Sequence, residues 1–315
     1  MGTEAPTRAR DGRDANPGAL YSMYGLTIRS DFGLSGWFPG DGGKPDVEIR
    51  SAKLDGPDAR GAPHGSRWAA IDGAIALGVE GVGRYRASRG RLIEVDPEPA
   101  AKAEDLDLYI SGAMMGAILH QRGLFPLHAS SVVLGERAVA FSGVSGAGKS
   151  TLVAALVERG ATLVTDDSCV LDLSQGRADV WPGPRRMKLD DHSLTLLNQP
   201  STSLTPAGSN TGKFQVPVGE AGQRSKPVPL GTVYLLTEGA SGPRAEPMTT
   251  MDALTALVDQ AHFLAFAREL DLGQQVFRLA ATAASRIEVC QLVRRRGLEF
   301  LPATIDLIES RAQRS

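Results

Sequence analysis

The stretch FSGVSGAGKSTLVAALVERGATLVTDD, from Phe141 to Asp167, joins a glycine-rich loop to two adjacent aspartates. Residues 143–150 match the Walker A pattern G-x-x-x-x-G-K-[ST] at every fixed position. In such a loop, glycines let backbone N–H groups turn inward around a phosphate, the lysine contacts the β- and γ-phosphates, and the serine hydroxyl binds Mg²⁺. The sequence therefore predicts a phosphate-binding loop (P-loop) whose residues are Gly143, Val144, Ser145, Gly146, Ala147, Gly148, Lys149, Ser150 and Thr151.

The residues on both sides of the P-loop favour this interpretation. RAVAFS, just before the loop, is typical of a buried strand, and Lys149 to Arg159 predict a helix that Gly160 ends. A helix N-terminus directs partial positive charge toward a bound anion. The alternative is a glycine-rich turn that carries Lys-Ser by chance, and the agreement between the motif and both flanking elements disfavours it.

The acidic pair Asp166-Asp167 follows the predicted strand ATLVT. Ligands of open α/β sheets bind at the carboxyl ends of strands. If this strand lies next to the P-loop strand, the pair reaches the γ-phosphate, where one carboxylate can hold Mg²⁺ and the other can accept a proton from an attacking hydroxyl. The alternative is a simple turn, because Asp-Asp-Ser is also favourable turn sequence.

Composition restricts the class of protein. The chain has 315 residues, a formal net charge of −2 and 42% hydrophobic residues, so we expect two domains and neither a nucleic-acid-binding nor a membrane surface. It contains no apolar run long enough to span a membrane, and its first residues lack the apolar segment of a secretory signal. We expect Cys169 and Cys290 to be buried free thiols of a cytoplasmic protein.

The chain divides into three predicted parts: a disordered tail at 1–20, a small β-rich N-terminal domain at 21–103, and an α/β catalytic domain at 104–315. In the second part, each of four apolar runs predicts one strand, and SRGR predicts a hairpin turn between the last two runs. The runs are YGLTIRS, WAAIDGAIALGV, GRYRAS and RLIEVDP.

The third part alternates helical and strand patterns. Helices are predicted for 106–123, 249–270, 274–285 and 302–312, and further strands for FPLHASSVVL, VPLGTVYLL and RIEVCQLV. SCVLDL and ADVWPG predict a hairpin around SQGR. Residues 198–228 form a long polar region that contains one short apolar run, FQVPV. Long loops in compact domains are often functional.

The chain has five histidines, each a candidate site residue. His128 lies in PLHASS, just before the P-loop strand, and a lone histidine of this kind is more often a packing residue than a functional one. The others carry less weight, and no pair among the five has the spacing of a zinc site. They are His64, His120, His192 and His262.

Residues 127–167, from LHASS through the P-loop to the Asp-Asp pair, resemble the catalytic core of the HPr serine kinase/phosphorylase family. That family also places a Leu-His strand before its P-loop and ends the following strand with two aspartates. In that family and in related phosphoenolpyruvate carboxykinases, the acidic pair supplies the catalytic base and helps to bind Mg²⁺. The resemblance implies a P-loop kinase core that uses ATP and Mg²⁺. It implies that Asp166 is the base for the acceptor hydroxyl, that Asp167 is the Mg²⁺-side carboxylate, and that His128 orients the pair.

The resemblance is limited to residues 125–172 in its specific motifs. A Glu-Val-Arg-Gly-Leu-Gly type signature is missing downstream, and Thr151 stands where HPr kinases usually have glutamate. By looser motifs such as YGLTIRSDFGL and WPGPRRMKL, the chain is similar to divergent HPr-kinase-like proteins encoded with lasso-peptide machinery. That similarity implies phosphorylation of a C-terminal serine on a lasso precursor peptide.

Basic residues beyond the core are candidate substrate contacts. Arg185, Arg186 and Lys188 follow WPGP, and arginine suits bidentate binding of a phosphate or carboxylate. Lys213, in GKFQVPV, lies in the long polar region and is a candidate for contact with the nucleotide or the acceptor. Their alternative is a solvated basic loop.

The motif does not name the acceptor. A peptide or protein serine kinase is the leading interpretation. The alternatives are an HPr-type protein kinase, a small-molecule P-loop kinase, and a nucleotide-dependent regulatory module without catalysis. We expect the β-rich domain to help hold a peptide. The oligomeric state stays open, with a homo-oligomer among the alternatives.

Overall fold

A mixed α/β fold with three β-sheets makes up the described part of the computed structural model, which comprises residues 18–62, 65–209, 211–219 and 226–314. Residues 1–17 of the tail predicted to be disordered lie outside these ranges. Ala19 and Leu20 belong to the first strand, so the prediction is wrong for those two residues.

The first sheet contains eight strands in the order β3-β1-β2-β4-β8-β7-β6-β5. Its strands are β1 (Ala19–Met23), β2 (Leu26–Ser30), β3 (Phe38–Pro39), β4 (Val47–Ser51), β5 (Ser66–Ile71), β6 (Ala74–Val79), β7 (Gly83–Ser88) and β8 (Leu92–Pro97). Alternate burial along β2 and β7 shows one face packed on the core. The predicted strands in YGLTIRS, GRYRAS and RLIEVDP are confirmed.

The run WAAIDGAIALGV is a hairpin, and the prediction of one strand is wrong. β5 and β6 pair in antiparallel fashion around Asp72 and Gly73, whose φ angles are +51° and +72°. Positive φ at both central residues is the requirement of a two-residue hairpin turn, and Asp-Gly meets it at low cost. The dipeptide was the signal for the turn.

The predicted helix at 106–123 is confirmed in type but is interrupted. It consists of α1 (Ala103–Tyr109), a π-helical turn (Ile110–Met114) and α2 (Met115–Gln121). This segment packs against the first sheet, since the buried cluster that contains Ile28, Tyr85 and Ile93 also contains Ile110 and Ile118. π-turns are frequent at functional sites.

The second sheet contains nine strands and carries the P-loop. Seven of its strands lie in the order β12-β10-β11-β18-β14-β13-β9. The other two are β20, which pairs with β18, and β19, which pairs with β20. The strands are β9 (Phe125–Leu127), β10 (Ala129–Leu134), β11 (Arg137–Ser142), β12 (Thr162–Thr165), β13 (Cys169–Asp172), β14 (Asp179–Trp181), β18 (Val228–Glu238), β19 (Arg244–Pro247) and β20 (Glu288–Arg294).

Four strands of this sheet end at the same edge. β11, β18 and β20 are mutually parallel, and β12 runs in their direction because both β11 and β12 pair in antiparallel fashion with β10. The carboxyl ends of these four strands therefore lie at the same edge. The run FPLHASSVVL is split at His128 into β9 and β10, which contradicts its prediction as one strand and leaves His128 at this edge.

The third sheet is small, with the order β15-β17-β16. Its strands are β15 (Arg186–Asp190), β16 (Thr205–Pro206) and β17 (Lys213–Pro217). β17 corresponds to the apolar run in the predicted long loop region.

Six further helices complete the described fold. They are α3 (Lys149–Glu158), α4 (Asp191–Leu194), α5 (Thr250–Asp259), α6 (Leu264–Glu269), α7 (Gly273–Ala284) and α8 (Leu301–Ala312). The predicted helix at 249–270 is broken at Phe263, which has a φ angle of +56°. In the described ranges, none of the helices has the length and apolar character needed to cross a membrane. Cys169 and Cys290 are buried and free, as predicted.

A buried ion pair connects the π-turn segment to the third sheet. Arg186 pairs with Asp107, and both side chains are almost completely buried. Arg186 Nη1 also donates a hydrogen bond to Gln215 Oε1 at 3.0 Å. The hydroxyl of Ser111 donates to Asp107 Oδ1 at 2.6 Å and accepts from Trp37 Nε1 at 3.0 Å, so this network reaches the first sheet.

We expect Asp107→Ala to lower the free energy of unfolding by about 3–5 kcal/mol, because it leaves the charge of the buried Arg186 guanidinium without its acidic partner. The double variant Asp107→Ala with Arg186→Met should recover most of this loss. Urea unfolding measures the free energy of unfolding of the single and the double variant. As a control, Glu246→Ala, which removes an exposed partner of Arg244, should cost less than about 1 kcal/mol. Equal losses for the single and double variants would contradict this account.

Candidate active site

Positive backbone φ angles at three glycines shape the loop between β11 and α3. The angles are +144° at Gly143, +78° at Gly146 and +86° at Gly148, a region that residues with a Cβ rarely adopt. At Gly148 space is also limited, because a Cβ there would lie 2.7 Å from Nη2 of Arg294. The glycines predicted from the motif are therefore the residues that this backbone needs.

Lys149 is buried at the start of α3, and its ammonium group lies over the loop. Nζ donates hydrogen bonds to the carbonyl oxygens of Gly143 at 2.9 Å and Val144 at 3.3 Å. Burial lowers the pKa of this ammonium group, while the charges of Asp167 and Asp166 act in the opposite direction. A cation is thus held where the loop would receive a phosphate.

Asp166 is buried and is fully engaged with neighbouring groups. Its Oδ1 accepts hydrogen bonds from Ser130 Oγ at 2.6 Å and Ser150 Oγ at 2.8 Å. Its Oδ2 accepts one from the backbone N–H of Lys188 at 2.8 Å. The carboxylate therefore connects the P-loop serine with β10 and β15.

Asp167 points in a different direction from Asp166 and is half-buried. Its φ angle is +74°, a left-handed conformation that aspartate tolerates better than most residues with a Cβ. Oδ2 accepts a hydrogen bond from Lys188 Nζ at 2.9 Å, and Oδ1 lies 3.8 Å from His128 Nε2. Burial raises the pKa of this carboxyl, but the positive charge of Lys188 and its hydrogen bond outweigh that effect, so the pKa is well below its usual range.

The acidic pair reaches the P-loop across an intervening strand. β10 lies between β11 and β12, so the strand that delivers the aspartates is not next to the P-loop strand. The pair still meets Ser150, because α3 starts at the same edge and its first turn projects over β10. The contact between Ser150 Oγ and Asp166 Oδ1 at 2.8 Å is the result.

His128 and His262 stack at this edge. Their ring centroids are 4.8 Å apart with an interplanar angle of 24°, and His262 also stacks on Phe263 at 4.0 Å. His262 Nδ1 lies 2.7 Å from Ser168 Oγ. Burial lowers the pKa of both imidazoles, to about 3 for His262. Both rings are therefore neutral at neutral pH, which lets them stack without charge repulsion.

The basic residues proposed as substrate contacts have separate environments. Lys188 lies in the site through its bond to Asp167, and Lys213 is exposed but close enough for its charge to lower the pKa of His128 and Lys149. The Arg185 guanidinium lies 5.2 Å from the centroid of the Phe38 ring, beside the first sheet. Arg186 is committed to its buried pair with Asp107.

The sequence does not predict two residues of the site, Ser130 and Gln260, and it gives a third, His262, less weight than His128. Ser130 bonds Asp166, His262 stacks on His128, and Gln260 Oε1 accepts the N–H of Gly143 at 3.1 Å. Gln260 and His262 are more than a hundred residues from the loop in sequence, so no local pattern marks them. Ser130 lies two residues after His128 in the motif LHASS. Because side chains alternate between the two faces of a strand, this spacing could have predicted Ser130 as a site residue.

The donor set at Ser150 fits magnesium. A hydroxyl oxygen and a carboxylate oxygen lie 2.8 Å apart beside the phosphate loop, and Mg²⁺ prefers oxygen ligands. At nucleotide sites Mg²⁺ is usually held by one or two protein oxygens together with phosphate oxygens and water. Ser150 and Asp166 can supply the protein share.

Comparison with known proteins gives matches among solved structures. No protein-family model matches the chain, and no curated protein matches it. Among solved structures, the chain is similar to the HPr(Ser) kinase/phosphatase from Coxiella burnetii, at 14% identity over 60% of this chain and 97% of that chain, with a TM-score of 0.35. A likeness of this size does not establish a shared fold.

We expect the buried, neutral His262 to make stability fall as the pH is lowered. In the unfolded chain this histidine takes up a proton near its ordinary pKa of 6.5, whereas in the folded protein it resists protonation until about pH 3. The unfolded state therefore binds more protons between these values, and the free energy of unfolding decreases with falling pH there. Asp167 faces His262 and favours its charged form, while His128, His120 and Lys188 disfavour it.

His262→Asn, which keeps a polar group near Ser168, should reduce this loss of stability. Urea unfolding at several pH values between 7 and 4 gives the slope. His192→Asn, at an exposed histidine on α4, is the control and should follow the wild-type slope. Parallel curves for His262→Asn and wild type would contradict the assignment.

Proposed function

We propose that this chain is an ATP- and Mg²⁺-dependent kinase that phosphorylates a serine hydroxyl of a peptide or protein. The observation that carries the proposal is the 2.8 Å hydrogen bond from Ser150 Oγ to Asp166 Oδ1, which joins the glycine-rich loop to the acidic pair. A loop that only bound nucleotide would have no need of two carboxylates at this position. Phosphoryl transfer needs both, since it depends on charge neutralisation and on an oriented acceptor.

The phosphate end of the site is built from the loop and α3. Backbone N–H groups of Gly146 and of Gly148 to Ser150, at the N-terminus of α3, would bind the phosphate oxygens, and Lys149 would neutralise their charge. Ser150 and Asp166 would hold Mg²⁺, which supplies further neutralisation of the transferred group when it is bound. These contributions act together in a partly buried site, where electrostatic stabilisation is large.

The contacts of the two aspartates favour an exchange of the roles implied by the sequence resemblance. Asp166 is buried and already accepts three hydrogen bonds, one of them from Ser150, which suits the metal side. Asp167 is half-buried and reaches outward, which suits contact with the acceptor. Its low pKa keeps it ionised, so it can accept a hydrogen bond from the serine hydroxyl and take the proton late in a loose transition state.

His128 and Lys188 would position Asp167. Lys188 Nζ holds one carboxylate oxygen at 2.9 Å, and His128 Nε2 faces the other at 3.8 Å. Two such neighbours limit the rotation of the side chain and leave it aimed at one acceptor position. This arrangement supports His128 as an orienting residue rather than as a base.

The surroundings of Asp167 include residues of the N-terminal part of the chain. A narrow cavity beside this carboxylate is lined by Tyr24, Ser111, Gly112, Pro184, Lys188 and His262. Tyr24 lies in the turn between β1 and β2, so the N-terminal domain would contribute one wall and help hold a peptide. The acceptor that the sequence resemblance implies is a C-terminal serine of a lasso precursor peptide, and HPr is the alternative.

Mass spectrometry tests the proposal. Purified protein with ATP and Mg²⁺ should add one phosphate to a serine-ending lasso precursor peptide, and Lys149→Ala should abolish the transfer. Phosphate on HPr alone would identify an HPr-type kinase. No transfer to either acceptor, with ATP still bound, would contradict the peptide-kinase proposal and favour a small-molecule kinase or a regulatory module.

Kinetics of Asp166→Asn and Asp167→Asn should separate the two carboxylates. We expect Asp167→Asn to lower kcat by about 10²–10⁴-fold with little change in ATP affinity, as for loss of a general base. Asp166→Asn should instead raise the Mg²⁺ concentration needed for half-maximal rate. Asp172→Asn, at the end of β13, is the matched control and should resemble wild type. The opposite pattern would restore the roles implied by the resemblance.

A further inference from the structure

Arg294 lies at the same sheet edge as the P-loop although it is far away in sequence. It is the last residue of β20, which runs parallel to β18, and β18 runs parallel to β11. The carboxyl ends of these strands therefore bring Arg294 beside the loop that follows β11. The side chain is 5% exposed.

The guanidinium of Arg294 contacts the loop directly. Nη2 donates a hydrogen bond to the carbonyl oxygen of Ala147 at 2.7 Å, and Nη1 lies 3.4 Å from the carbonyl oxygen of Arg295. Nε is buried and has no hydrogen-bond partner. The close approach also explains Gly148, since a Cβ there would collide with Nη2.

No carboxylate among the described residues forms an ion pair with Arg294. Glu238, the nearest acidic influence on its charge, is paired with Arg296 at 3.0 Å on the surface. Arg295 lies over the ring of Phe300 at 4.0 Å. A buried cation without a counterion is unfavourable, and here burial and the charge of Arg296 both lower the pKa of the guanidinium. Burial of this charge therefore lowers the stability of the nucleotide-free protein.

The bond to Ala147 fixes one peptide unit of the loop. In a planar trans peptide, the carbonyl and the following N–H point in opposite directions. Because Arg294 holds the Ala147 carbonyl on its own side, the N–H of Gly148 points away from Arg294. On that side the N–H is left available to a phosphate oxygen, as the N–H groups of a phosphate-binding loop must be.

We propose, resting on the proposed function, that Arg294 is a positioning residue for the P-loop, which orients the Ala147–Gly148 peptide toward a nucleoside triphosphate and provides positive charge behind it. The phosphates are the counterion that this buried guanidinium lacks in the free protein. The sequence resemblance did not point to this residue, and RRR at 294–296 reads as a simple basic run.

Three variants test the inference through ATP binding and thermal unfolding. Arg294→Met removes the charge and the hydrogen bonds, Arg294→Lys keeps the charge, and Arg296→Met is the matched control two residues away in an exposed pair. Calorimetric titration with ATP and Mg²⁺ should show about a tenfold or greater loss of affinity for Arg294→Met, as for loss of a hydrogen bond from a charged group. Arg294→Lys should recover part of it, and Arg296→Met should bind like wild type.

The stability of the nucleotide-free protein separates positioning from a structural role. Removing an unpaired buried charge should leave the unfolding midpoint of Arg294→Met unchanged or raise it, even though ATP affinity falls. A lowered midpoint together with lowered affinity, and no recovery in Arg294→Lys, would overturn the inference. Unchanged ATP affinity in Arg294→Met would overturn this inference and leave the proposed function standing. Absence of ATP binding by wild type would overturn both.

Discussion

The hydrogen bond between Ser150 and Asp166 is the constraint on which the site depends. It requires α3 to start at the edge where β12 ends, and that alignment follows from the antiparallel pairing of β10 with both β11 and β12. The next residue, Asp167, has a left-handed backbone conformation, which directs its side chain toward Lys188 and His128. Two adjacent carboxylates are thereby given different partners and different exposure.

Charge is distributed unevenly around this edge. The carboxylates are surrounded by Lys149, Lys188 and neutral histidines, whereas Arg294 is buried behind the loop and pairs with no carboxylate in the part of the chain that the structure describes. The free protein therefore keeps more positive charge in the site than its own acids neutralise. Such an imbalance favours a polyanionic ligand, and it agrees with a site built for a triphosphate. The buried pair of Arg186 and Asp107, by contrast, is internally neutral and serves the junction with the first sheet.

Local signals in the sequence predicted the loop, α3 and most of the strands, because a glycine pattern and an apolar period depend on neighbouring residues only. The signal for the Asp72-Gly73 turn is equally local, but it lies within a longer apolar run that by itself indicates one strand. The partners of the site were not predictable in this way. His262 reaches His128 because Phe263 breaks a helical pattern, and Arg294 reaches Ala147 through the order of parallel strands. These contacts join residues far apart in sequence, which no single motif encodes.

The central claim is that the P-loop and the acidic pair form one site for ATP with magnesium. Calorimetric titration of wild type and Ser150→Ala with ATP, in the presence of Mg²⁺ and again in excess EDTA, tests it most directly. We expect wild type to bind ATP more tightly with Mg²⁺ than with EDTA, and Ser150→Ala to lose most of this difference. ATP binding that is independent of Mg²⁺ and equal in both proteins would contradict it.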